Sequence, residues 1–94
     1  MQPVVIFSTC PDLESAERIA KLLVEAKLAA CVQILPGLVS HYVWKQTLER
    51  SEEVLLLIKS SERQWDALCE IVKAHHPYEV PELVKVPISG ALPE

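Results

Sequence analysis

Two short runs in this 94-residue chain are apolar at odd and even positions alike: Val4-Val5-Ile6-Phe7 and Val54-Leu55-Leu56-Leu57-Ile58. Their β-branched and aromatic content reads as strand. Successive side chains of a strand face opposite ways, so each run has two faces to bury. One layer of helices covers one face of a sheet. Whatever fold the chain adopts has to cover the other face as well.

The rest of the chain supplies the elements. After "PVVIFST", Asp12 is placed to N-cap a first helix, with Leu13, Ala16, Ile19, Ala20 and Leu23 on one face. Glu14, Glu17, Arg18, Lys21 and Glu25 fall largely on the other. "AACVQILPGLVSHYVWK" reads as a long strand that Pro36-Gly37 bends or bulges rather than ends. "QTLERSE" carries polar turn chemistry, and "EVLLLIKS" is a strand. Ser61 with Gln64 forms the pattern of a capping box for a second helix, whose buried stripe is Trp65, Leu68, Cys69 and Val72. Pro77 stops that helix at about His76. "VPELVKVPIS" is the last strand, marked by Pro81 and Pro87 as an edge or a short element.

The order is β-α-β-β-α-β. This is an α+β, ferredoxin-like split-βαβ arrangement: one antiparallel sheet with both helices on one face. Residues 1–94 form a single domain, and no element is left over for the second sheet face. Another subunit is the simplest cover.

Half of the residues are hydrophobic and only two are glycine, which fits a compact chain. A net charge of −4 with scattered Lys and Arg marks no nucleic-acid surface. Met1-Gln2-Pro3 carries neither a basic region nor a long apolar run, so neither a secretory signal nor a membrane span is expected, and a cytoplasmic location is the default. Cys10, Cys31 and Cys69 are odd in number and widely spaced, which fits a reducing compartment better than a disulfide framework.

The stretch "CEIVKAHHPYEVPEL", Cys69 to Leu83, concentrates ligand chemistries. It reads either as a chelating cluster or as a helix-to-strand corner. Adjacent helical residues point about 100° apart, so His75 and His76 do not converge on one ion; a terminal histidine meeting free carbonyls is the plainer account. Tyr78, Glu79 and Glu82 stand between prolines, as turn residues or as the wall of a cleft. Cys10 precedes the first helix, where a helix N-terminus lowers a thiol's pKa, so it is the expected reactive thiolate. Cys31 has the pattern of a small buried thiol and Cys69 that of core packing. Tyr42 and Trp44 share one strand face, and Lys59 ends an apolar strand where it snorkels or meets an anion.

No Ser/His/Asp constellation and no Gly-rich phosphate loop is present, so no enzyme assembles. The first loop, "STCPDLE", lacks the arginine that acylphosphatases carry there. "VLLLIK" lacks the aromatics of an RNA-recognition sheet.

"LAACVQILPGLVSHYVW", "EEVLLLIKS" and "HHPYEVPELVKVPIS", in this order and spacing, resemble the CutA family of divalent-cation tolerance proteins. The resemblance covers nearly the whole chain. It implies a ferredoxin-like fold, a cytoplasmic homotrimer similar in architecture to the PII signalling proteins, and a link to copper and other divalent cations. It points to Cys31, Trp44, Lys59, His76, Tyr78 and Glu82 as residues lining a cleft near the subunit boundary, with Cys31 and His76 as the soft-metal ligands. It also implies a short C-terminal helix beyond "ISGALPE", which this sequence does not contain, so contacts of such a helix are left unassigned. The expected function is a trimeric, non-enzymatic, metal-responsive protein binding copper or another divalent ion. The alternatives are a PII-like module for a small anionic effector, which needs Lys59 in the cleft, and a structural trimer that anchors partners.

Overall fold

The computed structural model describes residues 2–93. The strands are β1 (Pro3–Cys10), β2 (Cys31–Trp44), β3 (Thr47–Ser61) and β4 (Val84–Pro87); the helices are α1 (Leu13–Glu25) and α2 (Trp65–His75). The sheet order is β2-β3-β1-β4, and every neighbouring pair is antiparallel. This is the ferredoxin-like arrangement that the sequence order implies.

Strand parity explains the layers. Val4, Ile6 and Cys10 of β1 pair across from Ser60, Ile58 and Val54 of β3, and all three β1 side chains are completely buried under the helices. Ala16, Ile19 and Leu23 of α1 meet them, as do Leu68 and Val72 of α2. Each large aliphatic side chain buried here contributes about 1.5–3 kcal/mol. Leu13, the first helical residue, stays 46% exposed, so the α1 stripe begins one turn later than its pattern. Trp65 and Cys69 are only half-buried.

The alternate positions form the other face. Val5, Phe7, Leu55 and Leu57 are half-buried there, and Leu35, Val84 and Val86 are exposed. No helix of the described residues covers this face, and the coil after α2 reaches only its edge, at Thr9 and Glu53. It is apolar, and it lies beside the free edge of β2, a strand of 14 residues.

Local chemistry shapes the elements. Asp12 N-caps α1: its Oδ1 accepts the Ser15 N–H at 2.7 Å, and this bond holds its carboxyl below the usual range. Gly37 adopts φ +86°, and the β2–β3 register shifts between Leu35 and Leu38, so Pro36-Gly37 is the expected bulge. The capping box does not form. Ser61 stays in β3, paired with Pro3, and a 3₁₀ turn at Glu62–Gln64 leads into α2 without a side-chain cap. The last strand is four residues long because the segment from Val80 to Leu83 runs as coil around Pro81.

The polar segment "QTLERSE" is the larger departure. The turn is only Lys45-Gln46, at φ 51° and 69°, and Thr47 to Glu53 is strand. Val54 pairs with Cys10, the last residue of β1. From Glu53 outward, β2 and β3 therefore continue as a two-stranded arm, paired from Leu38↔Glu53 to Trp44↔Thr47. Backbone pairing rather than a core holds this arm. It extends the molecule to 44 × 25 × 23 Å.

Candidate functional site

The corner between α2 and β4 is built around His76. Pro77 excludes helical geometry at the residue before it, and His76 has φ −80° and ψ 138°. Its N–H still closes the helix on Val72 O at 2.8 Å. Its ring turns inward and is 8% exposed. Nε2 lies 2.7 Å from the Thr9 carbonyl, and Nδ1 accepts the Tyr78 N–H at 3.0 Å. A carbonyl can only accept and a peptide N–H can only donate. Nε2 therefore carries the proton, and Nδ1 uses its lone pair on Tyr78. Burial holds this imidazole below its ordinary pKa, against the opposing pull of the Thr9 carbonyl and of Glu53.

Cys10 lies beneath, with Sγ 3.7 Å from His76 Nε2. It is completely buried, and burial, reinforced by Asp12 and Glu53, pushes its thiol up to about 11. The expectation of a reactive thiolate is thus overturned. Cys10 belongs to the inward parity of β1, and Asp12, not Cys10, occupies the helix start.

Tyr78 leaves the corner in the opposite direction. Its hydroxyl donates to Glu53 Oε2 at 2.5 Å, and its ring lies 4.9 Å from that of His76. Burial first, then the bond to Glu53, raises the phenol's pKa far above its ordinary value. Glu82 accepts from Thr9 Oγ1 at 3.5 Å. Thr9 and Glu53 share the parity of Leu55, so this cluster sits at the edge of the uncovered sheet face, where β1 ends.

A cleft of about 530 Å³ opens here, between the coil after α2 and the arm. Its aromatic lining is Tyr42, Trp44 and Tyr78, and its carboxylates are Glu53, Glu79 and Glu82. Thr9, Ser40, His41 and Val80 complete it. Tyr42 is fixed by a 2.8 Å hydrogen bond between its hydroxyl and Ser51 Oγ.

Trp44, Tyr78 and Glu82 thus lie together in one protomer. His76 braces this cleft from behind and does not line it. Lys59 and Cys31 lie elsewhere. They pair with each other at the far end of β2 and β3. Lys59 is five residues along β3 from Val54, about 17 Å at roughly 3.4 Å per residue. Within one chain, then, Cys31 and His76 do not meet, and His76 has no nitrogen left for a metal. Among the described residues no group of three or more His, Cys, Asp or Glu is placed to hold an ion. Sequence reasoning missed Glu53 and His41. The signal for Glu53 was a charge abutting the apolar run "VLLLI"; nothing marked His41.

The chain belongs to the CutA1 divalent ion tolerance protein family, whose sequence model matches residues 4–94. The divalent-cation tolerance protein CutA of Pectobacterium atrosepticum is 48% identical over 87 residues, which are 93% of this chain and 79% of that protein. Protein CutA 1, chloroplastic, of Oryza sativa is 45% identical over 93% of this chain, and the chain spans about half (49%) of that protein's length. The crystal structure of CutA from Xylella fastidiosa superposes with a TM-score of 0.95 at 46% identity, over 99% of this chain and 89% of that one. Identity at this level over nearly the whole chain fixes both family and fold.

Proposed function

We propose that the chain acts in divalent-cation tolerance as a non-enzymatic homotrimer, with its cleft at the boundary between protomers. The observation that carries this reading is the uncovered apolar sheet face beside the free edge of β2. An exposed apolar surface of this kind and an unpaired long edge both favour a second copy. The two free edges, β2 and β4, differ in length and sequence. Contact between unlike patches is heterologous, and heterologous contacts close as rings rather than as two-fold dimers.

The metal reading rests on family membership and on ligand chemistry. A ring can set the Cys31 end of one protomer against the carboxylate cleft of the next. Cys31 is then the soft ligand for copper, with Glu82 from the neighbour. His76 drops out because the backbone engages both its nitrogens. The non-enzymatic part is supported by the same corner, where a protonated buried thiol beside a fully bonded imidazole is not an armed nucleophile and base. Three unpaired cysteines support a reducing compartment such as the cytoplasm. Within one protomer an anionic effector finds no support: Lys59 lies at the far end of the sheet, and no lysine or arginine among the described residues lines the cleft.

Light scattering during gel filtration should give three times the 10.5 kDa chain mass. A monodisperse monomer would overturn the assembly. Calorimetry should show copper binding that Cys31→Ser weakens at least tenfold while the trimer persists. Unchanged copper binding would remove Cys31 as a ligand.

A further inference from the structure

The cleft's walls select a ligand class that differs from a bare metal ion. Three aromatic side chains and three carboxylates face one cavity of about 530 Å³, within the ordinary range for small-molecule sites. A metal ion needs several donors converging within a little over 2 Å of one point, and no such convergence exists among the described residues. A ligand spread over a larger volume can use carboxylates that stand apart.

Glu53 gives the cleft a buried negative charge. It is 8% exposed, and its hydrogen-bond partner is a neutral phenol rather than a cation. A buried carboxylate without a cationic partner attracts one. Both tyrosine hydroxyls are already engaged, Tyr42 with Ser51 and Tyr78 with Glu53, so what these residues chiefly offer is ring surface. Trp44 shows what suits such surface. The chain's own Lys45 ammonium lies over its ring, 5.8 Å from the centroid. Aromatic rings beside carboxylates, with no lysine or arginine in the wall, form the chemistry that recognises an ammonium group on carbon. The net charge of −4 draws such an ion in.

We propose that this cleft binds an organic ammonium ion, held by Trp44 and Tyr42 through their rings and by Glu79 and Glu82 through charge. The copper reading shares Glu82 with this cleft but takes its soft ligand, Cys31, from the neighbouring protomer, so Cys31→Ser should weaken copper binding and leave ammonium binding unchanged.

The test uses the whole protein and two probes, spermidine and tetramethylammonium, with Mg(II) and citrate as controls. Titration is followed by calorimetry and by Trp44 fluorescence, with Trp65 as the only other tryptophan. At least one ammonium probe should bind below 1 mM, more weakly as salt rises, and citrate should not bind. Tighter binding of spermidine assigns a polyamine; tighter binding of tetramethylammonium assigns a quaternary headgroup. Trp44→Leu, and separately the pair Glu79→Gln with Glu82→Gln, should each weaken binding at least fivefold. All three residues are exposed in the single protomer, and circular dichroism and light scattering establish that each variant keeps the wild-type fold and assembly before its binding is compared. Absence of binding by both probes at 10 mM overturns the proposal. So does Mg(II) binding tighter than either probe, which describes a carboxylate metal site, or ammonium binding that Trp44→Leu leaves unchanged, which describes binding by charge alone.

Discussion

The Tyr78 hydroxyl donates to Glu53 Oε2 at 2.5 Å, tying the coil after α2 to the strand that becomes the arm. Both groups sit at the point where β1 ends and the sheet narrows from a packed body to two strands. The bond is a side-chain hydrogen bond that joins the proline corner to β3.

Tyr78→Phe therefore should cost about 1–3 kcal/mol, because it leaves a buried carboxylate oxygen without its donor. Urea unfolding measures this directly. The raised phenol pKa adds a pH signature. Its contribution is full below about pH 10, the ordinary tyrosine value, and is lost as pH rises through the higher folded value. Wild type should lose stability above pH 10 more steeply than Tyr78→Phe. Parallel curves would show that the bond contributes nothing.

His76 acts at the other end of the scale. Burial depresses its pKa, so the neutral imidazole is favoured in the folded state. That stability is present above about pH 6.5 and is lost as pH falls through the lower folded value. Between pH 7 and pH 5 wild type should lose more stability than His76→Gln, although the variant starts lower. Equal slopes would mean that the folded state does not depress the His76 pKa.

Thiol reactivity should invert the simple sequence expectation. Cys10 should be the slowest of the three cysteines to alkylate in the native state, since it is completely buried and its thiol is pushed up to about 11. Cys31 and Cys69 are partly exposed. Peptide mapping after a short pulse of iodoacetamide should find Cys10 unlabelled until denaturant is added. Early labelling of Cys10 would mean that the corner opens.

The hairpin turn offers a stabilising change. Lys45 and Gln46 both lie in the left-handed region, which costs residues with a Cβ about 1–2 kcal/mol each. Asn-Gly suits such a turn. Replacing Lys45-Gln46 with Asn-Gly should raise stability by about 1–2 kcal/mol at an unchanged denaturant slope. A loss of stability would mean that Lys45 over Trp44 outweighs the backbone term.

The strand order and the bare sheet face were legible because they follow from apolar parity, which Val4 to Phe7 and Val54 to Ile58 display plainly. The length of β3 was not. Leu48-Glu49-Arg50-Ser51-Glu52 has no buried face to announce a strand; its hydrogen bonds to β2 define it. Cys10 was misread although its parity with Val4 and Ile6 was visible, because proximity to a helix start was weighed above the direction of the side chain. Trp44, Tyr78 and Glu82, which the family resemblance pointed to, lie together in one protomer because all flank the arm or the proline corner. Within one protomer Cys31 and Lys59 lie far from them, a distance that only the register Cys31↔Lys59 reveals. The protonation of His76 depends on two backbone groups, and no residue pattern encodes that.

The arm also bears on how this chain can change over time. Outside Glu53 no third strand and no helix among the described residues constrains its length. Deleting or adding two residues on each strand keeps every remaining side chain on its present face, whereas one residue on each would turn the tip over. Natural variation in this hairpin should therefore come in steps of four residues, and each step would deepen or shorten the cleft's aromatic wall without disturbing the core beneath the helices.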